Sequence, residues 1–254
     1  MADVLVTGGT GMLGRLLVPA LVDAGHRVRV LSRRAAPDLP GGTSAVRGDL
    51  RTGEGVPDAV AGVDTVVHAA TSPFRRTRRV DVEGTERLLT AGAAAGVHHV
   101  VFPSIVGVDR HPFPYYRAKR AAEQVVESGP CPWTIVRATQ FHELLDMGFG
   151  RLSRLPVMPV ARGFVFQPVS GAEVAARIVE IVAAGPSGRS ADLGGPELLL
   201  LDGLARAWLR AHGSRRRVVR LPVPGRVGAA FRAGVQTCPD HADGRVTWQH
   251  FLGA

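Results

Sequence analysis

The sequence predicts an α/β fold: a doubly wound parallel sheet followed by a small, irregular lobe. Three observations predict it. Short, β-branched apolar runs alternate with segments whose apolar residues recur at helical spacing, and the alternation continues for about the first 140 residues of 254. Glycines close the first helical segments, at Gly25 and Gly96, as left-handed helix ends require. A glycine-rich loop, TGGTGMLG (Thr7–Gly14), joins the first strand to the first helix.

In order, Asp3–Thr7 (DVLVT) is the first strand and Met12–Ala24 the first helix, with Leu13, Leu16, Leu17, Ala20 and Leu21 on its apolar face. Arg27–Leu31 alternates as a strand, Ser44–Arg47 is a third and Thr65–His68 (TVVH) a fourth. Val80–Ala95 is helical and His98–Phe102 is the fifth strand. Pro114–Ser128 is a helix with proline in its first turn, where no amide is missed. Trp133–Arg137 is the sixth strand. Short strands of this kind belong to a parallel sheet covered on both faces. Beyond Thr139 prolines punctuate the chain. Gly163–Gln167 reads as extended, Ala172–Ala184 as a helix, Ala191–Leu193 as a strand and Leu199–Ala211 as a helix whose Leu204, Trp208 and Leu209 face a core. The C-terminal GRVTWQHFL reads as packing. The expected organisation is a dinucleotide-binding core over 1–138 and a substrate-side lobe over 139–254, integrated in one domain.

Composition narrows the function classes. The chain is 45% hydrophobic and 21% charged, which is ordinary for a globular protein. No run of about 20 apolar residues suggests a membrane span, and no membrane partner is expected. The N-terminus lacks a basic, then apolar, leader pattern. Two cysteines, Cys131 and Cys238, are too few for a disulfide framework and sit in no metal-ligand spacing, so a reduced, cytoplasmic setting without metal is expected. The net charge is +9, and arginine is spread along the whole chain. The clusters Arg75–Arg79 and Arg215–Arg217 carry no interleaved aromatics, so solvated or phosphate-facing arginines are favoured over a nucleic-acid surface. The His98–His99 pair reads as structural. The sequence leaves the oligomeric state open.

The glycine loop carries chemistry. Gly9, Gly11 and Gly14 fit G-x-G-x-x-G, and Gly8, Gly11 and Gly14 fit a wider spacing. A diphosphate can approach the backbone only where no Cβ stands in its way, and the following helix offers free amides and the positive end of its dipole. A strand before and a helix after supply the context of a dinucleotide site. A nucleoside-triphosphate loop is excluded, because it needs a lysine after its last glycine. The only lysine is Lys119. The second strand ends in Leu31-Ser32-Arg33-Arg34, where an NAD site would place an acid. Arginine suits a 2′-phosphate instead, which favours NADP.

That single lysine lies in PYYRAK with both tyrosines of the chain, Tyr115 and Tyr116. Tyr115 and Lys119 are one helical turn apart on one face. An ammonium stabilises a phenolate, and a phenol so tuned can give a proton to a carbonyl oxygen.

TGGTGMLG, HAAT (His68–Thr71), FPSIVGVD (Phe102–Asp109) and YYRAK resemble the short-chain dehydrogenase/reductase superfamily, and VRATQFHELL (Val136–Leu145) resembles its atypical, NmrA-like, NAD(P)H-binding branch. The resemblance implies a Rossmann-type fold and NADP(H) lying across the strand ends. It implies cofactor contacts from Gly8, Thr10, Gly11, Met12, Leu13 and Gly14, from Ser32, Arg33 and Arg34, and from Asp49 and Leu50 near the adenine. It implies further cofactor contacts from Ala69, Ala70, Thr71, Lys119 and Thr139. Tyr115, Lys119 and Ser104 would be the catalytic residues, with Gln140, Phe141 and His142 toward the substrate; His142-Glu143 reads equally well as an exposed helix start. The implied activity is an NADPH-dependent oxidoreductase reducing a carbonyl, quinone or enone. The alternative is a non-catalytic, NADP(H)-binding redox sensor.

Overall fold

The computed structural model describes residues 1–72 and 78–253. Arg75, Arg76 and Thr77 of the first arginine cluster lie outside the described residues.

In chain order the elements are β1 (Asp3–Thr7), α1 (Met12–Asp23), β2 (Arg27–Ser32), β3 (Thr43–Arg47), α2 (Val56–Val60) and β4 (Thr65–His68). A π-helical turn at Arg78–Val82 leads into α3 (Glu83–Ala94), followed by β5 (His99–Ile105), α4 (Pro114–Glu127) and β6 (Trp133–Ala138). Then come α5 (His142–Leu152), β7 (Met158–Ala161), β8 (Val165–Phe166), α6 (Gly171–Ala184) and β9 (Gly188–Arg189). The chain finishes with β10 (Leu199–Leu200), α7 (Leu201–Ala211), β11 (Val218–Leu221), α8 (Gly225–Arg232), a 3-10 turn at Pro239–His241 and α9 (Trp248–Phe251).

The chain divides into two compact units. The first comprises Met1–Ser104, Arg117–Val136 and Val174–Ser190. It holds the central sheet, in the order β3-β2-β1-β4-β5-β6-β9. β1 runs parallel to β2 and β4, β2 to β3, β4 to β5, and β6 to β9. The chain winds outward from β1 in one direction through β2 and β3, and in the other through β4, β5 and β6, so the strand order reverses beside β1. In such sheets ligands collect at the carboxyl ends of the strands next to that reversal. The central strands are valine-rich because they are covered on both faces. Leu5, Val66, Val100, Phe102 and Ile135 meet Leu88 and Leu89 of α3 and Ala122 and Val126 of α4 in one core. His99 is buried in β5, with Nε2 2.9 Å from the Thr134 hydroxyl, and burial pushes its pKa down to about 4.

The second unit comprises Ile105–Tyr116, Arg137–Glu173 and Ala191–Ala254. Two small sheets lie in it: β7 pairs in parallel with β11, and β8 pairs antiparallel with β10. Phe149, Met158, Phe164, Leu204, Leu209, Trp208 and Trp248 form its core. Trp248 Nε1 donates to the Leu204 carbonyl at 3.1 Å, which fixes the C-terminal segment as packing.

Two sequence-based assignments are corrected. The strand expected at Ala191–Leu193 forms only a single bridge, Leu193 to Ala138, and the strand that extends the sheet is β9, two residues earlier. The amide and the hydroxyl of Ser190 both donate to the Ile135 carbonyl, which ends the ladder there. The helix expected from Leu199 begins at Leu201, because Leu199 and Leu200 are drawn into pairing with β8.

Candidate functional site

The loop between β1 and α1 is shaped by its glycines. Gly8 has φ +72°, and a Cβ there would stand 2.7 Å from the Ala70 amide nitrogen. A Cβ on Gly14 would stand 2.3 Å from the Gly8 carbonyl oxygen. The Gly11 amide donates to that same carbonyl at 2.9 Å, folding the turn back on itself. No side chain caps α1. Thr10, Gly11, Met12 and Leu13 therefore bring the helix start, with its positive dipole end, to a turn packed too closely to admit a Cβ at Gly8 or Gly14.

The tip of β4 is held by a relay that sequence reading missed. His68 is fully buried, with Nδ1 2.7 Å from Thr7 Oγ1 and Nε2 2.9 Å from Thr85 Oγ1. The Thr85 hydroxyl donates to the Asp81 carbonyl at 2.7 Å. It must then accept from His68 Nε2–H, which leaves Nδ1 to accept the Thr7 hydroxyl proton. The Ala70 amide donates to Thr7 Oγ1 at 3.2 Å, so the relay positions Ala69 and Ala70 over the glycine loop. Burial, with Lys119 as a second cause, pushes the His68 pKa down to about 3, and the ring is neutral. Asp81, also buried, accepts from the Thr71 hydroxyl and, at 3.0 Å, from the Ser72 amide. A histidine ending the fully buried strand TVVH was the available signal.

Lys119 lies buried beside the end of β5. Its Nζ donates to the Pro103 carbonyl at 2.8 Å and sits 4.0 Å above the Phe102 ring. Burial pushes its pKa down to about 8, while Asp81 and Glu123 pull it back up. The next residue of β5, Ser104, is buried, and its Oγ has no hydrogen-bond partner among the described residues. A buried hydroxyl left open in this way is costly unless something else occupies it.

At the other sheet positions, Ser32 is buried and accepts the Arg34 amide at 3.1 Å, while Arg33 and Arg34 are exposed. The Asp49 carboxylate is gripped by Arg51 through bonds of 2.9–3.0 Å, and this holds its pKa below the usual range. Leu50 is buried in the core.

In the second unit, Tyr115 is partly buried and Tyr116 is buried, their rings 6.5 Å apart and edge-on. The Tyr116 hydroxyl accepts from Gln140 Nε2 at 3.0 Å, and burial drives its pKa well above the ordinary phenol value. His111 and Phe231 complete an aromatic cluster around Tyr116. Gln140 Oε1 is buried without a partner among the described residues. The Thr139 hydroxyl donates to the Gln167 carbonyl, and the Thr139 amide to the Leu193 carbonyl at 3.0 Å. Phe141 bridges to Val169 and precedes α5. His142 is fully enclosed, 5.0 Å from the Phe251 ring and 5.6 Å from Trp248, and burial brings its pKa to about 4. The α5 start is thus a buried one.

Among the described residues no group of histidines, cysteines and acids is arranged to hold a metal ion. The close-packed glycine turn, the uncapped helix start and the open Ser104 hydroxyl fit a dinucleotide at the tips of β1, β4 and β5. The family described as NAD(P)H-binding matches residues 8–184. The chain belongs to the NAD(P)H-binding family.

Relatives of this NAD(P)H-binding protein include a ceramide reductase of Caulobacter vibrioides, 30% identical over 244 residues, with 87% of this chain and 74% of the relative covered. The chain spans only 31% to 45% of the length of three other curated relatives that it matches. In structure it is similar to an NADPH-dependent quinone oxidoreductase of Escherichia coli complexed with NADPH, with a TM-score of 0.80, 18% identity and 98% of each chain covered. It is also similar to a UDP-glucose 4-epimerase of Thermus thermophilus complexed with NAD, with a TM-score of 0.73, 23% identity and 99% of each chain covered. At these identities the structural likenesses establish the fold.

Proposed function

We propose that the protein is an NADPH-dependent reductase of a carbonyl, quinone or enone small molecule, in the NmrA-like branch of the short-chain dehydrogenase/reductase superfamily. The observation that carries this reading is Lys119: a buried ammonium with a pKa near 8, one helical turn from Tyr115 on α4. Gly8–Gly14 and the start of α1 would hold the diphosphate, and Ala69–Thr71 would line its edge. Ser32, Arg33 and Arg34 would take the 2′-phosphate, since β2 ends without an acid. The Asp49 carboxylate is committed to Arg51, so the adenine side of this reading rests on Leu50 and backbone. The hydroxyl and amide of Thr139 are likewise engaged, and its part is to shape the wall. Bound there, the nicotinamide would supply the hydride.

The chain's own residues would manage the proton. Tyr115 gives its phenolic proton to the substrate oxygen as negative charge builds there. Lys119 is protonated at neutral pH, and its charge favours the phenolate left behind. Ser104 Oγ donates a hydrogen bond to the same oxygen. Tyr116 is unsuited to that role, because burial disfavours its phenolate and Gln140 holds its hydroxyl. Gln140 and Phe141 face the substrate in this reading, and His142 supports them from within the packing.

The test is NADPH oxidation with a panel of ketones, enones and quinones. Tyr115→Phe is expected to lower kcat by about 10²- to 10⁴-fold with NADPH affinity unchanged. Tyr116→Phe is expected to keep most of the rate. A wild type that binds NADPH tightly and passes hydride to no acceptor would replace this reading with the redox sensor.

A further inference from the structure

β11 and the segment leading into β7 present exposed aliphatic residues set among arginines. Met158 and Val160 of β7 and Val218 of β11 turn into the core. The alternate positions Val219 and Leu221 therefore turn outward, and they are 38% and 47% exposed. Leu155 and Val157, which lead into β7, are 45% and 39% exposed. Because the two strands are parallel, the segments that lead into them lie at the same end. Arg216 Nε donates to the Leu155 carbonyl at 2.9 Å and ties those segments together.

The charge carried by these two segments is of one sign. Residues 153–162 and 213–226 hold seven arginines and no aspartate or glutamate. Arg220 leans toward Asp202 at 4.0 Å. The other six, Arg154, Arg162, Arg215, Arg216, Arg217 and Arg226, are exposed. Contiguous exposed aliphatic residues of this kind mark an interaction surface.

We propose that this face docks the protein on an anionic membrane surface. Guanidinium groups would meet headgroup phosphates while the Leu155, Val157, Val219 and Leu221 side chains reach the acyl boundary. A second copy is disfavoured, since it would set arginine against arginine. A nucleic acid is disfavoured because neither segment offers an aromatic ring for a base to stack on. The sequence expectation of no membrane partner rests on the lack of a spanning stretch, and among the described residues no helix is long and apolar enough to cross a membrane. Surface binding needs no such helix.

The experiment is flotation of the full chain with phosphatidylcholine vesicles, alone or with about a third phosphatidylglycerol, at low and high salt. The wild type is expected to float with the anionic vesicles only, and less so in salt. Each arginine contributes roughly fivefold to partitioning, so Arg215→Glu with Arg217→Glu should weaken it by at least about 25-fold. Leu221→Ser should weaken it severalfold at either salt concentration. Both variants are expected to keep their unfolding temperature and their NADPH affinity. Absence of flotation at low salt, equal binding to neutral vesicles, or binding indifferent to both variants would overturn the proposal. So would wild-type binding to polyglutamate as strong as to vesicles and insensitive to Leu221→Ser, which would mark an acidic protein partner. A dimer in sedimentation that these variants dissolve, without vesicle binding, would make the face a contact between copies and overturn it too.

Discussion

Lys119 shows what a single residue can disclose. In a chain that otherwise uses arginine, its placement four residues after Tyr115 was legible from the sequence alone. The reason a lysine is needed is visible only in three dimensions: one compact ammonium fits above the Phe102 ring and bonds the Pro103 carbonyl, where a planar fork of five donors would leave most of them unsatisfied. His68 was less legible. Its partners Thr7 and Thr85 lie 61 and 17 positions away, so no local pattern announces the relay. Three of the buried histidines, His68, His99 and His142, carry a pH prediction, and burial lowers the pKa of the fourth, His111, in the same direction. The native pKa values of the three are about 3, 4 and 4, below the ordinary 6.5. Between those values and 6.5 the unfolded chain binds more protons than the native one, so stability is lost as pH falls through that window. The urea midpoint is expected to drop between pH 6.5 and about 4, ahead of most carboxylate titration. A midpoint flat across that range would show the rings to be solvated or charged in the native state.

Elements were legible where their signals are local. β1, the glycine loop and α1 combine a valine run, a turn that only glycine can make and a 3.6-residue period, and each is found within a residue of its expected bounds. β2 is one residue longer than its alternation suggested, and β5 starts one residue later and runs on to Ile105. The short pieces were not legible. β7 and β11 are four residues each and exist because segments about 60 positions apart pair with one another. β9 displaced the expected Ala191–Leu193 strand through the bonds of Ser190, which have no sequence signature. The end of β2 carries the coenzyme preference. If Arg33 and Arg34 grip the 2′-phosphate, replacing both with alanine should weaken NADPH binding by about 10- to 100-fold, the worth of a charged hydrogen bond or two, and leave NADH within about twofold. Calorimetric titration of both coenzymes decides it. Equal losses for the two, or none for either, would remove the case for NADP.

At the scale of the whole molecule, the α/β class was legible because a doubly wound sheet writes itself as an alternation of periods. The second unit was legible only in pieces, the core-facing side of α7 and the C-terminal packing, because it is built from three separate stretches of chain and its core draws on residues from Phe149 to Trp248. The net charge of +9 reads from composition as a diffuse excess of arginine. The structure gathers part of that excess beside exposed aliphatic residues, which composition does not reveal. Membership of the NAD(P)H-binding family agrees with the side of the fold that was most legible, the cradle at Gly8–Gly14.

That cradle is the centre of the account, and coenzyme titration of the wild type beside Gly14→Ala tests it most directly, with circular dichroism as the check on folding. The Cβ of Gly14→Ala would stand 2.3 Å from the Gly8 carbonyl and must push the loop aside. Saturable binding of NADPH or NADH by the wild type, weakened at least about tenfold in the folded variant, roughly the 1.4 kcal/mol expected from a displaced loop, is the predicted result. A folded wild type that binds neither coenzyme, or a variant that binds them undiminished, would contradict it.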